Sequence, residues 1–256
     1  MQLVGIRTPL IKPRDDIVNV VLEAMHKQGL AIEDRDVLIF TSKVIATTQG
    51  RLVKLSAVKP SKKAEELAKR YDLEPGYVEL VLQEADEILG AVSKALLTLK
   101  DDTVVANAGI DHKNAPDGHA VLWPENPSGT AEAIRRRILK KTDKHVGILI
   151  VDSRVTPLRM GTTGIAIGMA GIEPVKDFRS EEDLYGKPLH ITRHAVADDL
   201  ASAAHLLMGE ACEQIPVVLA RDAPVSFKEK IDSRSVIIST KECLFMNLLH
   251  RSSERG

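Results

Sequence analysis

Short runs rich in valine and isoleucine recur along the chain, each bounded by polar or turn-forming residues. They are "DVLIF" at 36–40, "TVVA" at 103–106, "HVGILIV" at 145–151, "PVVLA" at 216–220 and "SVIIS" at 235–239. Apolar runs of this length predict β-strands. Between them the apolar positions fall three or four residues apart. "DDIVNVVLEAMHKQG" (15–29) predicts a helix stopping at Gly29. "PSKKAEELAKRY" (60–71) and "GYVELVLQEADEILG" (76–90) predict two more, joined by a turn at Pro75-Gly76. "SGTAEAIRRRILKKT" (128–142) follows Pro127 and has Ser128 as its expected cap. "AVADDLASAAHLLMG" (195–209) is an alanine-rich helix ending at Gly209.

Some consecutive strands leave no room for a crossover helix. An α+β fold with mixed sheets therefore fits better than a doubly wound one. The expectation is one domain over residues 1–256, with a weak division into sublobes near 125–127 in "PENPSG". The glycine-rich stretch "GTTGIAIGMAG" (161–171) lacks G-x-G-x-x-G spacing, and its glycines predict tight turns and close packing.

Composition narrows the function classes. The net charge is -1 and aromatic residues make up 3% of the chain, so neither a basic field nor a stacking platform argues for nucleic acid. Arg135-Arg136-Arg137 and Lys140-Lys141 alternate with apolar residues and read as a solvated helix face, or alternatively as a patch for phosphates. Cys212 and Cys243 have no metal or redox spacing and read as reduced thiols. The amino terminus lacks a signal-peptide core, and no apolar run is long enough to span a membrane. A cytoplasmic protein is expected, with no membrane partner.

Candidate chemistry gathers at the ends of elements. Asp152 and Ser153 follow the strand "HVGILIV", where a rigid strand can present a carboxylate and a hydroxyl to a ligand. The plainer reading is a capped turn. Asp111 and Asn114 follow "TVVA" after Gly109, and Glu210 follows the helix stop at Gly209. A carboxylate at the negative end of a helix is mildly unfavourable, and a nearby cation would explain it. Three acids at three element ends propose a site for a hard cation, with phosphate as its usual companion. The common phosphate loops are absent. "TSKV" (41–44) could bring Ser42 and Lys43 to phosphates, or be an ordinary turn with a solvated lysine. His112 and His205 read as polar or packed, and nothing supports acyl-enzyme chemistry.

Over nearly its whole length the chain resembles the coenzyme F420-0:L-glutamate ligase family. The stretches that carry this are "TPLIKPRDD", "VLIFTSKVIATTQGR", "VANAGIDHKN", "PSGTAEAIRRRI", "GILIVDS", "LYGKPL" and "VADDLASAAHLLMGE". The resemblance implies a GTP-dependent amide ligase with a two-lobed α+β fold, a homodimer using Mg²⁺ or Mn²⁺ and also K⁺. It assigns Asp111, Asp152, Ser153 and Glu210 to metal ligation, Ser153 standing where a threonine is usual. It assigns Thr8, Pro9, Leu10, Ile11, Ser42, Lys43 and Asn114 to GTP contacts, together with Met208, Gly209, Glu210, Ala211, Cys212, Glu213, Gln214 and Ile215. Thr47 stands where the family has a lysine in the nucleotide site.

The implied chemistry is phosphorylation of the terminal carboxylate of F420-0 by GTP, then attack by the amine of L-glutamate. Further cycles would extend the tail. Residues 153–159 depart from the family pattern: Thr156 replaces an arginine and a glycine is missing, while Arg159 keeps the second arginine and is the candidate catalytic residue. Arg154 could substitute for the lost one. The rival readings are a family ligase acting on another carboxylate and a nucleotide- or metal-binding protein without ligase activity.

Overall fold

The computed structural model describes residues 1–247. In chain order the elements are β1 (Gln2–Ile6), α1 (Ile17–Lys27), β2 (Val37–Thr41), α2 (Ser42–Thr48), β3 (Leu52–Lys54), α3 (Lys62–Tyr71), α4 (Pro75–Glu84) and β4 (Glu87–Val92). They continue with β5 (Ala95–Lys100), β6 (Thr103–Ala106), β7 (His119–Val121), α5 (Pro127–Thr142), β8 (Gly147–Val155) and β9 (Thr162–Ala170). The last are β10 (Lys176–Asp177), β11 (Arg193–His194), α6 (Val196–Met208) and β12 (Val217–Arg221).

The main sheet has the order β1-β12-β2-β8-β9, and only its β2–β8 pair is parallel. Successive side chains of a strand point to opposite faces, and here both faces are covered. Leu38, Phe40, Ile148 and Ile150 pack on Val18 and Val21 of α1 and Ile134 and Ile138 of α5. Val37, Ile39, Leu149 and Val218 pack on Ala197, Ala201 and Ala204 of α6. Burial on both faces is why these strands read as unbroken apolar runs rather than alternating ones. A third core joins α3, α4 and the β4-β5-β6 meander, and its buried members come from residues 55–122. The fold is α+β with mixed and antiparallel sheets.

Several local expectations change. The stretch 76–90 is not one helix: α4 ends at Glu84, Ala85 is extended, and β4 pairs with β5. Its apolar spacing suits a helix, but the pairing partner lies beyond it in sequence, which periodicity cannot register. Asn126, not Ser128, caps α5, its side chain accepting from the Gly129 N–H at 3.1 Å. "SVIIS" forms no strand; a single helical turn at Ser233–Val236 leads into exposed Ile237 and Ile238. Arg135 is not on a solvated face, being 6% exposed and paired with Glu132 and Glu229.

The glycine-rich stretch is the nine-residue strand β9. Its glycines serve close packing: a Cβ on Gly164 would lie 2.3 Å from the Ala201 carbonyl oxygen, and one on Gly168 2.5 Å from the Pro127 backbone. α6 therefore rests on β9 backbone to backbone. Among the described residues no helix is long and apolar enough to cross a membrane.

Gly164→Val should destabilise the fold by ~3 kcal/mol, because backbone atoms cannot yield to an inserted side chain as flexible ones do. Gly90→Ala, whose Cβ would meet nothing within 4 Å, should change stability far less. Urea denaturation of the two variants measures the difference.

Candidate active site

The topology brings the ends of four strands to one edge of the main sheet. Thr41 pairs with Val151 in the parallel β2–β8 ladder, so Ser42 and Lys43 leave the sheet beside Asp152 and Ser153. Val217, the first residue of β12, pairs with both Phe40 and Ile6. The segment preceding β12 and the segment following β1 therefore reach the same edge. Together they bound a cleft of about 310 Å³, into which the Asp111 loop also projects.

The Asp111 loop is tightly held. Asn107, Ala108 and Gly109 all have positive φ, and Ala108 donates its backbone N–H to the buried Thr98 hydroxyl at 2.9 Å. Asn107 accepts from the Leu96 N–H at 2.8 Å. Only glycine suits position 109, where a Cβ would lie 2.0 Å from the Trp123 ring. The buried Tyr77 hydroxyl donates to the Ile110 carbonyl at 2.7 Å. Asp111 itself exchanges backbone hydrogen bonds with Val121 of β7. His112 stacks on Tyr77 at 4.0 Å between ring centroids, so its role here is packing.

On the cleft floor the Lys43 Nζ donates to Asp111 Oδ2 at 2.6 Å. Asp152 Oδ1 accepts from the Ser153 N–H at 2.7 Å. Burial pushes the Asp152 carboxyl up to about 6. The Ser153 N–H, the Lys43 charge and the Ser42 hydroxyl oppose that rise, and the Asp111 charge adds to it. Two carboxylates thus share one ammonium, which leaves the floor short of positive charge.

Glu210 occupies another wall. Its Oε1 accepts from the Thr162 hydroxyl at 2.7 Å and lies 2.8 Å from His205 Nε2. Burial pushes the Glu210 carboxyl up, but the bonds from Thr162 and His205 outweigh it and hold the carboxyl below its ordinary range. The partners that meet this helix-end carboxylate within the chain are thus the Thr162 hydroxyl and the His205 imidazole. Asn114 Nδ2 donates to the Ala211 carbonyl at 2.9 Å, joining the Asp111 loop to the Glu210 loop across the cleft.

Thr8, Pro9, Leu10, Ile11, Ser42, Lys43, Thr47, Asp111, Asn114, Asp152, Ser153 and every residue from Met208 to Ile215 line this one cleft. Arg159 does not: it sits on the exposed connection between β8 and β9. Arg154 lies near Asp198 at 3.8 Å and its Nε is buried without a partner. Sequence reasoning passed over Thr162, which carries no local signal, and read His205 only as polar or packed.

The donor set suits a hard cation, since it consists of carboxylates and hydroxyls. Among the described residues, however, no three His, Cys, Asp or Glu side chains converge closely enough to hold one ion. Lys43 holds Oδ2 of Asp111, and Thr162 and His205 hold Oε1 of Glu210.

Comparison with known proteins decides the family. A family model described as F420-0:gamma-glutamyl ligase matches residues 5–222. The chain belongs to this family. The coenzyme F420:L-glutamate ligase of Methanocaldococcus jannaschii is 38% identical over 248 residues, 96% of this chain and 97% of the relative. The ligase of the same name from Archaeoglobus fulgidus is 39% identical over 218 residues, 85% of this chain and 86% of the relative. That from Methanothermobacter thermautotrophicus is 36% identical over 226 residues, 88% of this chain and 90% of the relative. The protein is accordingly a ligase, and the cleft is the candidate place for its chemistry.

Tyr77→Phe should destabilise the protein by ~1–2 kcal/mol by leaving the buried Ile110 carbonyl without its donor. Chemical denaturation against the wild type measures this, and an unchanged midpoint would mean that the Asp111 loop does not depend on the bond.

Proposed function

We propose that the protein forms an amide bond between coenzyme F420-0 and L-glutamate, driven by GTP, as a cytoplasmic homodimer. The observation that carries this reading is the one cleft lined by acids from three sequence-distant segments, by Lys43 and by the loops bearing every candidate GTP contact. Membership of the ligase family and the names of the relatives support the choice of substrates.

A carboxylate is a poor acyl donor, so the reaction needs activation. In the first step a carboxylate oxygen of F420-0 bonds to the γ-phosphorus of GTP, and GDP leaves. In the second, the amine of L-glutamate bonds to the acyl carbon, inorganic phosphate leaves with the former carboxylate oxygen, and the amine loses a proton. Asp111, Asp152, Ser153 and Glu210 would supply oxygen ligands to Mg²⁺ or Mn²⁺ alongside the nucleotide's own phosphates, and the metal would bring positive charge to those phosphates.

The chain's own contribution is positioning and electrostatics. Lys43 brings an ammonium to the cleft floor, where the phosphate oxygens would compete with Asp111 for it. The Thr8–Ile11 and Met208–Ile215 segments flank the cleft and would hold the nucleotide against it. The Asn114–Ala211 bond ties the two acid-bearing loops together.

The test is mass spectrometry of a reaction containing the protein, F420-0, L-glutamate, GTP and Mn²⁺, with a control lacking GTP. A GTP-dependent glutamyl-extended product is expected. Asp152→Asn should lower turnover by at least ~100-fold with the fold intact, the order of loss expected when a group stabilising developing charge is removed. No product from the wild type, beside an active family ligase run in parallel, would redirect the search to another carboxylate acceptor. Full turnover by Asp152→Asn would remove that residue from the mechanism.

A further inference from the structure

Glu210 stands where a carboxylate should be unwelcome, just past the negative end of α6. Its backbone leaves the helix through Gly209, whose φ of 69° and ψ of -173° belong to a region open only to glycine. Nothing in that local geometry aims the side chain into the cleft. The aim comes from across the interface between α6 and β9.

That interface is a ladder. Asp198 Oδ1 accepts from the Ala166 N–H at 3.0 Å, and Ser202 Oγ donates to the Gly164 carbonyl at 3.0 Å. The next rung joins His205 and Thr162, both bonded to Glu210 Oε1. Three or four helix residues rise ~4.5–6 Å, and two strand residues span ~6.6 Å, so successive rungs fall on facing stretches of α6 and β9. The close approach allowed by Gly164 sets where the last rung falls. Both donors engage the same oxygen, which leaves Oε2 of Glu210 for a cation.

We propose that His205 and Thr162 are positioning residues: they clamp Oε1 of Glu210 and thereby direct Oε2 toward the metal. This deepens the function proposed above and rests on Glu210 being a metal ligand. With its proton on Nε2, His205 donates to Oε1. Removing either donor leaves Glu210 free to turn to solvent, away from the helix end, and the metal then loses one of its carboxylates.

The experiment titrates Mn²⁺ into nucleotide-free protein and reads free Mn²⁺ by electron paramagnetic resonance. The proteins are the wild type, His205→Leu, His205→Gln, Thr162→Val and Glu210→Gln, with thermal melts confirming that each is folded. Partners of a ligand typically contribute roughly 10-fold or more to metal affinity. His205→Leu and Thr162→Val should weaken Mn²⁺ binding by that order, and His205→Gln, which keeps an N–H donor, should recover most of it. Wild-type affinity in both His205→Leu and Thr162→Val, with weak binding by Glu210→Gln, would overturn the clamp and leave Glu210 as a ligand. Wild-type affinity in Glu210→Gln would remove Glu210 from the metal site and overturn both readings.

Discussion

The parallel register of β2 against β8 is the constraint on which the cleft depends. Both strands are buried on both faces, so a slip of one residue would turn each apolar side chain toward the wrong layer. With the register fixed, β2 ends beside Val151 while β8 runs on along β9 to Val155, and Lys43 and Asp152 emerge as neighbours. The antiparallel strands on the other side, β12 and β1, then deliver one segment entering the sheet and one leaving it at that edge. A cleft wall assembled from residues 8–11, 41–44, 151–153 and 208–216 follows from one sheet order, and the Asp111 loop, held beside β7, joins it through the Lys43–Asp111 and Asn114–Ala211 bonds.

The charge balance inside the cleft is shaped for exchange. The Lys43 and Asp111 side chains are 26% and 37% exposed, so their ion pair is worth at most ~1 kcal/mol. A divalent ion or a phosphate group competes easily against so weak a contact. Asp152 is different, because its surroundings already disfavour its charge and push its carboxyl up to about 6. Lys43 pairs with Asp111, and the tightly held Asp111 loop keeps that pair beside Asp152. Cheap displacement of the lysine and poor compensation of Asp152 together suit a site that binds and releases a charged ligand on every turnover.

Much of this was legible in the sequence, and the exceptions share a cause. The strands "DVLIF", "HVGILIV" and "PVVLA" were readable because burial on both faces leaves unbroken apolar runs, and "TVVA", half-buried in the meander, was readable from its paired valines. α1, α3 and α6 showed through their apolar periodicity and end signals. β4 was hidden because its pairing with β5 overrides a spacing that suits a helix. β9 was hidden because its glycines, which suggest turns, serve the close approach of α6 and α5. The acids were picked out by their places along the chain, and the resemblance pointed to the segments that line the same cleft. Thr162 was out of reach, since its partner lies 48 residues away across a helix–strand contact. Arg159, kept by analogy, lies outside the cleft, on an exposed connection.

The most direct test of the central claim, that these acids form one metal and nucleotide site, is a crystal structure of the protein with Mn²⁺ and GDP, using the anomalous signal of manganese. The account predicts a manganese peak within ~2.2 Å of carboxylate oxygens, as short oxygen–metal bonds require, from at least two of Asp111, Asp152 and Glu210. Lys43 should have released Asp111 Oδ2. A manganese and GDP position outside this cleft, or a Lys43–Asp111 contact intact beside bound nucleotide, would contradict it.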